Sequence, residues 1–238
     1  MGYREFPPPH RLRELVECGW MRVGSAEPGR VLPDGCMDLI RMDDHVVVAG
    51  PDTVAHLSGS HPDTVRGLRF RPGVLPRLLG VPASELRGHR VPLADLRSDV
   101  ADRPLLGVTD ALAAGEPATE TAPWPLPVLR HVTARLADGA AVTEVAAEVG
   151  WSARTLQRHC GAVYGYGPAV LRRVLRFRRA VRLLGDGLAT AEVAARVGYA
   201  DQPHLHREVR TLAGVGVAQL ASGANRSTDV PSGSVTVA

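Results

Sequence analysis

The sequence of 238 residues contains no lysine: all 28 of its basic side chains are arginine. With Ala, Gly, Pro and Val in excess, this marks a GC-rich coding sequence, so the absence of Lys says little about mechanism. Cysteine is scarce as well. Cys18, Cys36 and Cys160 are widely scattered with no CxxC pair, which argues against a disulfide framework or a thiolate zinc site and suits a reducing compartment. No apolar run approaches the roughly 18 to 20 residues that a membrane helix needs. The opening MGYREFPPPHRLREL carries charge and proline where a secretory leader has an apolar core. The expectation is a cytoplasmic protein, long enough for one large domain or two ordinary ones.

Signals for catalysis are missing too. Asp34, Asp38, Asp43, Asp44, His45, His56 and His61 show no HxH or HExxH spacing, and Asp residues of this kind are read as turn formers. There is no nucleophile motif and no phosphate-binding glycine loop. No enzyme activity, cofactor or metal site is expected.

What is present is an uneven distribution of charge. The net charge is only +3, yet residues 151–215 hold eleven Arg against Asp186, Glu192, Asp201 and Glu208. A locally basic surface is the usual footprint of nucleic-acid binding. The texture also changes along the chain. Residues 1–115 hold short Val/Ile-rich or alternating segments (18–23, 37–42, 45–50, 64–70) between Pro, Gly and Asp turns, followed by a more helical passage. The proline-rich stretch 116–127 reads as a linker whose Trp124 packs against one of the domains. Helical periodicity then runs over 128–221, and 222–238 is a Ser/Gly/Thr-rich stretch expected to be disordered. The fold class expected is α+β in two domains, a mixed β-rich one followed by an all-α one.

Within the helical half one phrase occurs twice. EVAAEVGW (144–151) returns 48 residues later as EVAARVGY (192–199), with six of eight positions identical. In the first copy Thr143 is placed to cap a helix whose apolar stripe is Val145, Ala146 and Val149. Gly150 ends that helix in the left-handed conformation, and Ser152 caps a second helix with Leu156 facing inward. The second copy repeats this with Gly198 at the turn, Pro203 in the first turn of the next helix, and Leu205 at the corner. A small residue, a turn glycine and a corner leucine at these spacings describe a helix-turn-helix. A long helix over 169–184 joins the copies, with Val170, Leu171, Val174, Leu175, Val181 and Leu184 on one face and its arginines mostly off it.

Residues 128–221, through SARTLQRHC, GYGP, RFRRAVRLL and EVAARVGYADQPHLHRE, resemble the DNA-binding domain of AraC/XylS-type transcription regulators. The resemblance implies two helix-turn-helix units that read successive major grooves, roughly 34 Å apart, across a connecting helix of about sixteen residues and ~24 Å. Its implied partners are double-stranded DNA, a small-molecule effector, RNA polymerase if it activates, and a second copy of the chain. LVECGW, VLPDGCMDLI and GLRFRPGVLPRLLGVPASEL resemble a domain found in front of this module in a subset of such regulators, a sensor or dimerisation unit.

In the first reader Arg154, Gln157 and Arg158 lie off the Leu156 stripe and match the base-contacting positions of the family; Arg suits guanine and Gln suits adenine. Ser152 and Thr155 are placed for phosphate. In the second reader Gln202, His204, His206 and Arg207 point away from Leu205. Cys160, Leu205 and Val209 stand where the family usually has Phe, and Val217 where it usually has Pro, so the second unit is expected to be the looser. Trp20, Arg69 and Arg71 are candidates to line an effector pocket. Two alternatives stay open: a Cys18- or Cys36-based alkyl-transfer or redox-sensing N-terminal domain, and a non-specific DNA-compacting protein.

Overall fold

The computed structural model describes residues 2–24, 29–59 and 62–221; the tail expected at 222–238 and His61 lie outside them. Chain order gives strands β1 (Gly2–Phe6), β2 (Val16–Val23), β3 (Arg30–Val31), β4 (Met37–Met42), β5 (His45–Ala49), β6 (His56–Leu57), β7 (Thr64–Phe70) and β8 (Arg90–Pro92). Six of them form one antiparallel sheet in the order β1-β2-β7-β4-β5-β8, while β3 and β6 pair as a separate two-stranded ribbon. The four strands expected from composition are β2, β4, β5 and β7. The others are short or lie at an edge, and each is held by its neighbour more than by its own pattern. β4 and β5 are joined by Asp43 and Asp44 alone, Met42 pairing with His45 and Asp43 at φ 47°, a turn that Asp tolerates because its side chain can bond locally.

Helices α1 (Val74–Leu79), α2 (Ala83–Leu86), α3 (Leu93–Arg97) and α4 (Leu105–Ala113) follow the sheet. Among the described residues the C-terminal half holds only helices: α5 (Leu126–Ala137), α6 (Val142–Glu148), α7 (Ala153–Tyr164), α8 (Pro168–Gly185), α9 (Thr190–Val197), α10 (Gln202–Ala213) and α11 (Val217–Ala221). The architecture is α+β. No helix among the described residues is long and apolar enough to cross a membrane.

The apolar cores do not divide where the composition changes. One core runs from Leu39, Phe70 and Leu75 in the sheet domain through Trp124 to Leu156, Tyr164 and Leu171. The second comprises the C-terminal half of α8 with α9, α10 and α11, and it takes in Leu32 from the N-terminal half. The first helix-turn-helix unit is therefore packed as part of the sheet domain. Gly165, in the left-handed conformation at φ 83°, marks how close the contact is: a Cβ there would lie 2.6 Å from Pro51 Cγ, so only glycine fits. Trp124 ties the same parts together. It is 5% exposed, stacks on Trp151 with centroids 5.0 Å apart, and its carbonyl accepts from Arg77 of α1 at 2.7 Å.

Leu156 and Leu205 are both fully buried, one in each core. Truncating a buried leucine removes its transfer energy and leaves a cavity, at a cost of about 2–5 kcal/mol. Leu156→Ala should therefore lower the urea midpoint of the sheet and of α5–α8 together. Leu205→Ala should speed hydrogen exchange first in α9–α11.

Candidate nucleic-acid interface

The first unit is built by a turn and a cap. Gly150 takes φ 71°, and Ser152 Oγ accepts from Thr155 N at 3.1 Å, satisfying one of the N–H groups that a helix start leaves open. The preceding cap differs from expectation. Thr143 lies inside α6 and is exposed; Ala141 holds the N-cap position, and its N–H donates to the Glu144 carboxylate at 3.2 Å. Two positions of register separate a cap from a first-turn residue, and the backbone rather than the hydroxyl sets the start here.

Beyond that turn Leu156, Cys160, Val163 and Tyr164 are buried, and Arg154, Gln157 and Arg158 are exposed. Thr155 is half-buried, its hydroxyl 2.9 Å from Ser152 Oγ. Gln157 folds over Gly167 at the start of α8. His159 packs 4.4 Å from Trp151, centroid to centroid; burial and the neighbouring Arg158 charge both hold its imidazole below the usual range.

The second unit repeats the geometry with other parts. Gly198 turns at φ 78°, and Asp201 accepts from His204 N at 2.6 Å. Leu205, seven residues after the glycine, Val209 and Leu212 face inward. Gln202, His206 and Arg207 are exposed. Gln202 Nε2 donates to Thr190 Oγ1 at 2.8 Å and lies 3.4 Å from His206 Nε2. His204 is half-buried and engaged: its Nδ1 accepts from Ala200 N at 3.3 Å, and its ring meets the edge of Tyr199 at 5.1 Å.

The connecting helix α8 grips this second unit with residues whose long-range partners no local pattern names. Arg173 forms a two-pronged pair with Glu208 at 2.7 and 2.9 Å, and Arg176 lies 4.4 Å over the Tyr199 ring. Arg173 has only Arg-rich neighbours in sequence, and Glu208 is 35 residues away, so the pairing is a product of the fold. Val170 leaves the apolar face assigned to it and is 37% exposed, because α8 turns Leu171, Val174 and Leu175 toward the core.

In the sheet domain Trp20 and Arg69 meet on one carboxylate and Arg71 stands apart. Trp20 Nε1 donates to Asp38 at 2.9 Å. The buried Arg69 guanidinium sits among Glu5, Asp34 and Asp38 at 3.1, 3.3 and 3.5 Å. Arg71 is half-buried and donates to the Arg13 carbonyl at 3.0 Å. It lines a separate cleft of about 1090 Å³ between the sheet domain, α5 and α8, together with Leu32, Arg179 and Arg182. Cys18, Cys36 and Cys160 are buried free thiols. Burial pushes Cys18 and Cys160 up to about 12 and Cys36 well above its ordinary value, so none favours the thiolate that a nucleophile needs.

Two exposed helix faces, each following a glycine turn and joined by one 18-residue helix, define a double helix-turn-helix module beside a β-sheet domain. Residues 145–222 match a family described as a helix-turn-helix domain, and residues 4–92 match a domain of unknown function, DUF6597. The chain thus carries a helix-turn-helix domain in its C-terminal half. Among solved structures, ToxT from Vibrio cholerae aligns at TM-score 0.48 and 8% identity, over 93% of this chain and 98% of that one. A structure of unsaturated fatty acid bound wild-type ToxT aligns at TM-score 0.43 and 9% identity, over 87% and 94%. Likenesses of this size carry no inference about function. No curated protein matches the chain.

The Arg69 centre has a pH signature. Burial raises the Asp38 carboxyl to about 6, against the pull of Arg69 and with a push from Asp34. The folded chain then holds this proton more tightly than the unfolded chain, whose Asp titrates near ~3.9. Stability from this group is present at low pH and declines as pH rises through about 6, by up to ~1.4 kcal/mol per unit. Asp38→Asn keeps an acceptor for Trp20 and abolishes the titration. Urea unfolding at a series of pH values should show wild type losing stability relative to the variant between about pH 4 and 6. Parallel curves would remove Asp38 as the titrating group.

Proposed function

We propose that this protein is a sequence-specific transcription regulator that reads two successive major grooves with α7 and α10. The observation that carries this reading is the repeated geometry: each helix follows a left-handed glycine, buries its leucine stripe and leaves Arg and Gln side chains in solvent. A helix of 18 residues rises ~27 Å, the scale on which grooves repeat along one face of DNA. Arg154, Gln157 and Arg158 of α7 contact base edges, with Ser152 and Thr155 against phosphate. In α10 the readers are Gln202, His206 and Arg207. His204, tied to the turn and to Tyr199, shapes the entry of the helix and contacts phosphate more than bases.

The sheet domain modulates this activity through a small molecule or through pairing with a second copy. The space that suits an effector is the cleft of about 1090 Å³, whose Arg179 and Arg182 have no ion-pair partner among the described residues. No chemical step is assigned to the protein, and it acts in the compartment where DNA is.

Selection of duplexes from a random library by the full chain should yield a site with two tracts about one helical turn apart. On that site Arg158→Ala and Arg207→Ala should each cost about 1–3 kcal/mol per base contact and relax specificity in one tract. Equal affinity for any duplex, with no protected tract in a footprint, would instead assign a DNA-compacting role.

A further inference from the structure

The C-terminal end of α10 is completed by the sheet domain. A helix leaves its last carbonyls without partners of its own. Here Leu212 O accepts from Ala55 N at 2.7 Å, and Ala213 O accepts from Arg30 Nη1 at 2.9 Å. Both donors belong to the β3–β6 ribbon and its approach, more than 150 residues away in sequence. A guanidinium at this end also meets the negative pole of the helix. Gly214, just beyond, leaves room for it: a Cβ there would lie 2.8 Å from Arg30 Nη1. Two residues along, just past β3, Leu32 is 4% exposed inside the core of the second helix-turn-helix unit. Two residues further, Asp34 pairs with Arg69 and accepts from Cys36 N at 2.8 Å. The segment 30–34 thus runs from the end of α10 to the buried charge centre of the sheet.

We propose that the β3–β6 ribbon is a positioning element of the second DNA reader, holding α10 by its C-terminal carbonyls and by Leu32. This rests on the assignment of α10 as a reader. The first unit shares its core with the sheet domain, so the sheet domain is the frame for both readers, and the ribbon closes a ring of sheet, α7, α8 and α10. Without the ribbon, α10 would be placed by its packing on α8, α9 and α11 and by the pair of Arg173 with Glu208.

The test uses the full chain with Arg30→Ala, Arg30→Lys and Leu32→Ala, none of which touches DNA in this reading. Without DNA, the Ala55 amide and the last turn of α10 should exchange hydrogen about tenfold faster in Arg30→Ala and Leu32→Ala. Arg30→Lys, which keeps a cation at the helix end, should be less affected, and the amides of α7 should not change. On a duplex selected by wild type, Arg30→Ala should lose hydroxyl-radical protection in the tract that Arg207→Ala loses and keep the tract that Arg158→Ala loses. Unchanged exchange in α10 overturns the grip. Faster exchange with an intact footprint overturns the positioning role, as does simultaneous loss of both tracts with faster exchange throughout, which is general unfolding. If wild type selects no specific duplex, the DNA assignment and the reader role fall with it, and the exchange measurement still decides whether the ribbon holds α10.

Discussion

The corner between α7 and α8 is buried in the sheet domain, and most of the architecture follows from that contact. Tyr164 and Tyr166 are almost wholly inaccessible, Gly165 admits no side chain against Pro51, and Arg87 donates to the Gly165 carbonyl at 3.2 Å. The seam removes Tyr164, Tyr166 and their neighbours from water, and burial is the main favourable term in folding. Because the seam is continuous with the core of the sheet, the first helix-turn-helix unit has no independent core to fold around. The second unit hangs from α8 and is closed by Leu32, so it too is completed by residues outside itself.

Charge is placed around that apolar seam with unusual economy for a chain whose only long cation is arginine. Arg69 gathers three carboxylates. On the α8 side Arg178 pairs with Glu17 and lies 3.6 Å from Cys36 Sγ. Burial works against the Glu17 carboxylate, yet the Arg178 charge and hydrogen bond hold it below the usual range. The planar guanidinium fork can satisfy several oxygens at once and stays protonated when buried. The Arg178–Glu17 pair joins sheet to helix while the Arg69 pairs tie segments of the sheet domain together, and removing one partner would leave an uncompensated charge in the interior. The same centre reaches α10 through residues 30–34, which gives the sheet domain a physical route to the second helix-turn-helix unit.

Local signals were legible wherever structure depends on neighbours in sequence. The doubled phrase, the glycine turns, the Ser152 cap, the Pro203 start and the leucines at 156 and 205 all depend on spacings of a few residues, which periodicity reports directly. The strands at 37–42 and 64–70 were legible for the same reason. Thr143 as a cap was not, since a hydroxyl two residues from the true start carries the same local signal. His204 was legible as an off-stripe residue, but its engagement with Ala200 and Tyr199 depends on how tightly the turn closes. The effector trio of Trp20, Arg69 and Arg71 rests on residue type. Type alone does not reveal that Arg69 is saturated by carboxylates from three segments.

Two helix-turn-helix units on one connecting helix can be read directly from the chain, because each is written in contiguous, periodic code. So can the side chains of α7 and α10 that lie off the apolar stripes. That the first unit shares the core of the sheet domain, and that Glu208 belongs to Arg173, emerges in three dimensions alone. The same holds for the carbonyls ending α10, which find their donors at Arg30 and Ala55. Those pairings join residues separated by 35 to 183 positions. Long-range partners are selected by shape and burial, and no local spacing in the chain encodes them.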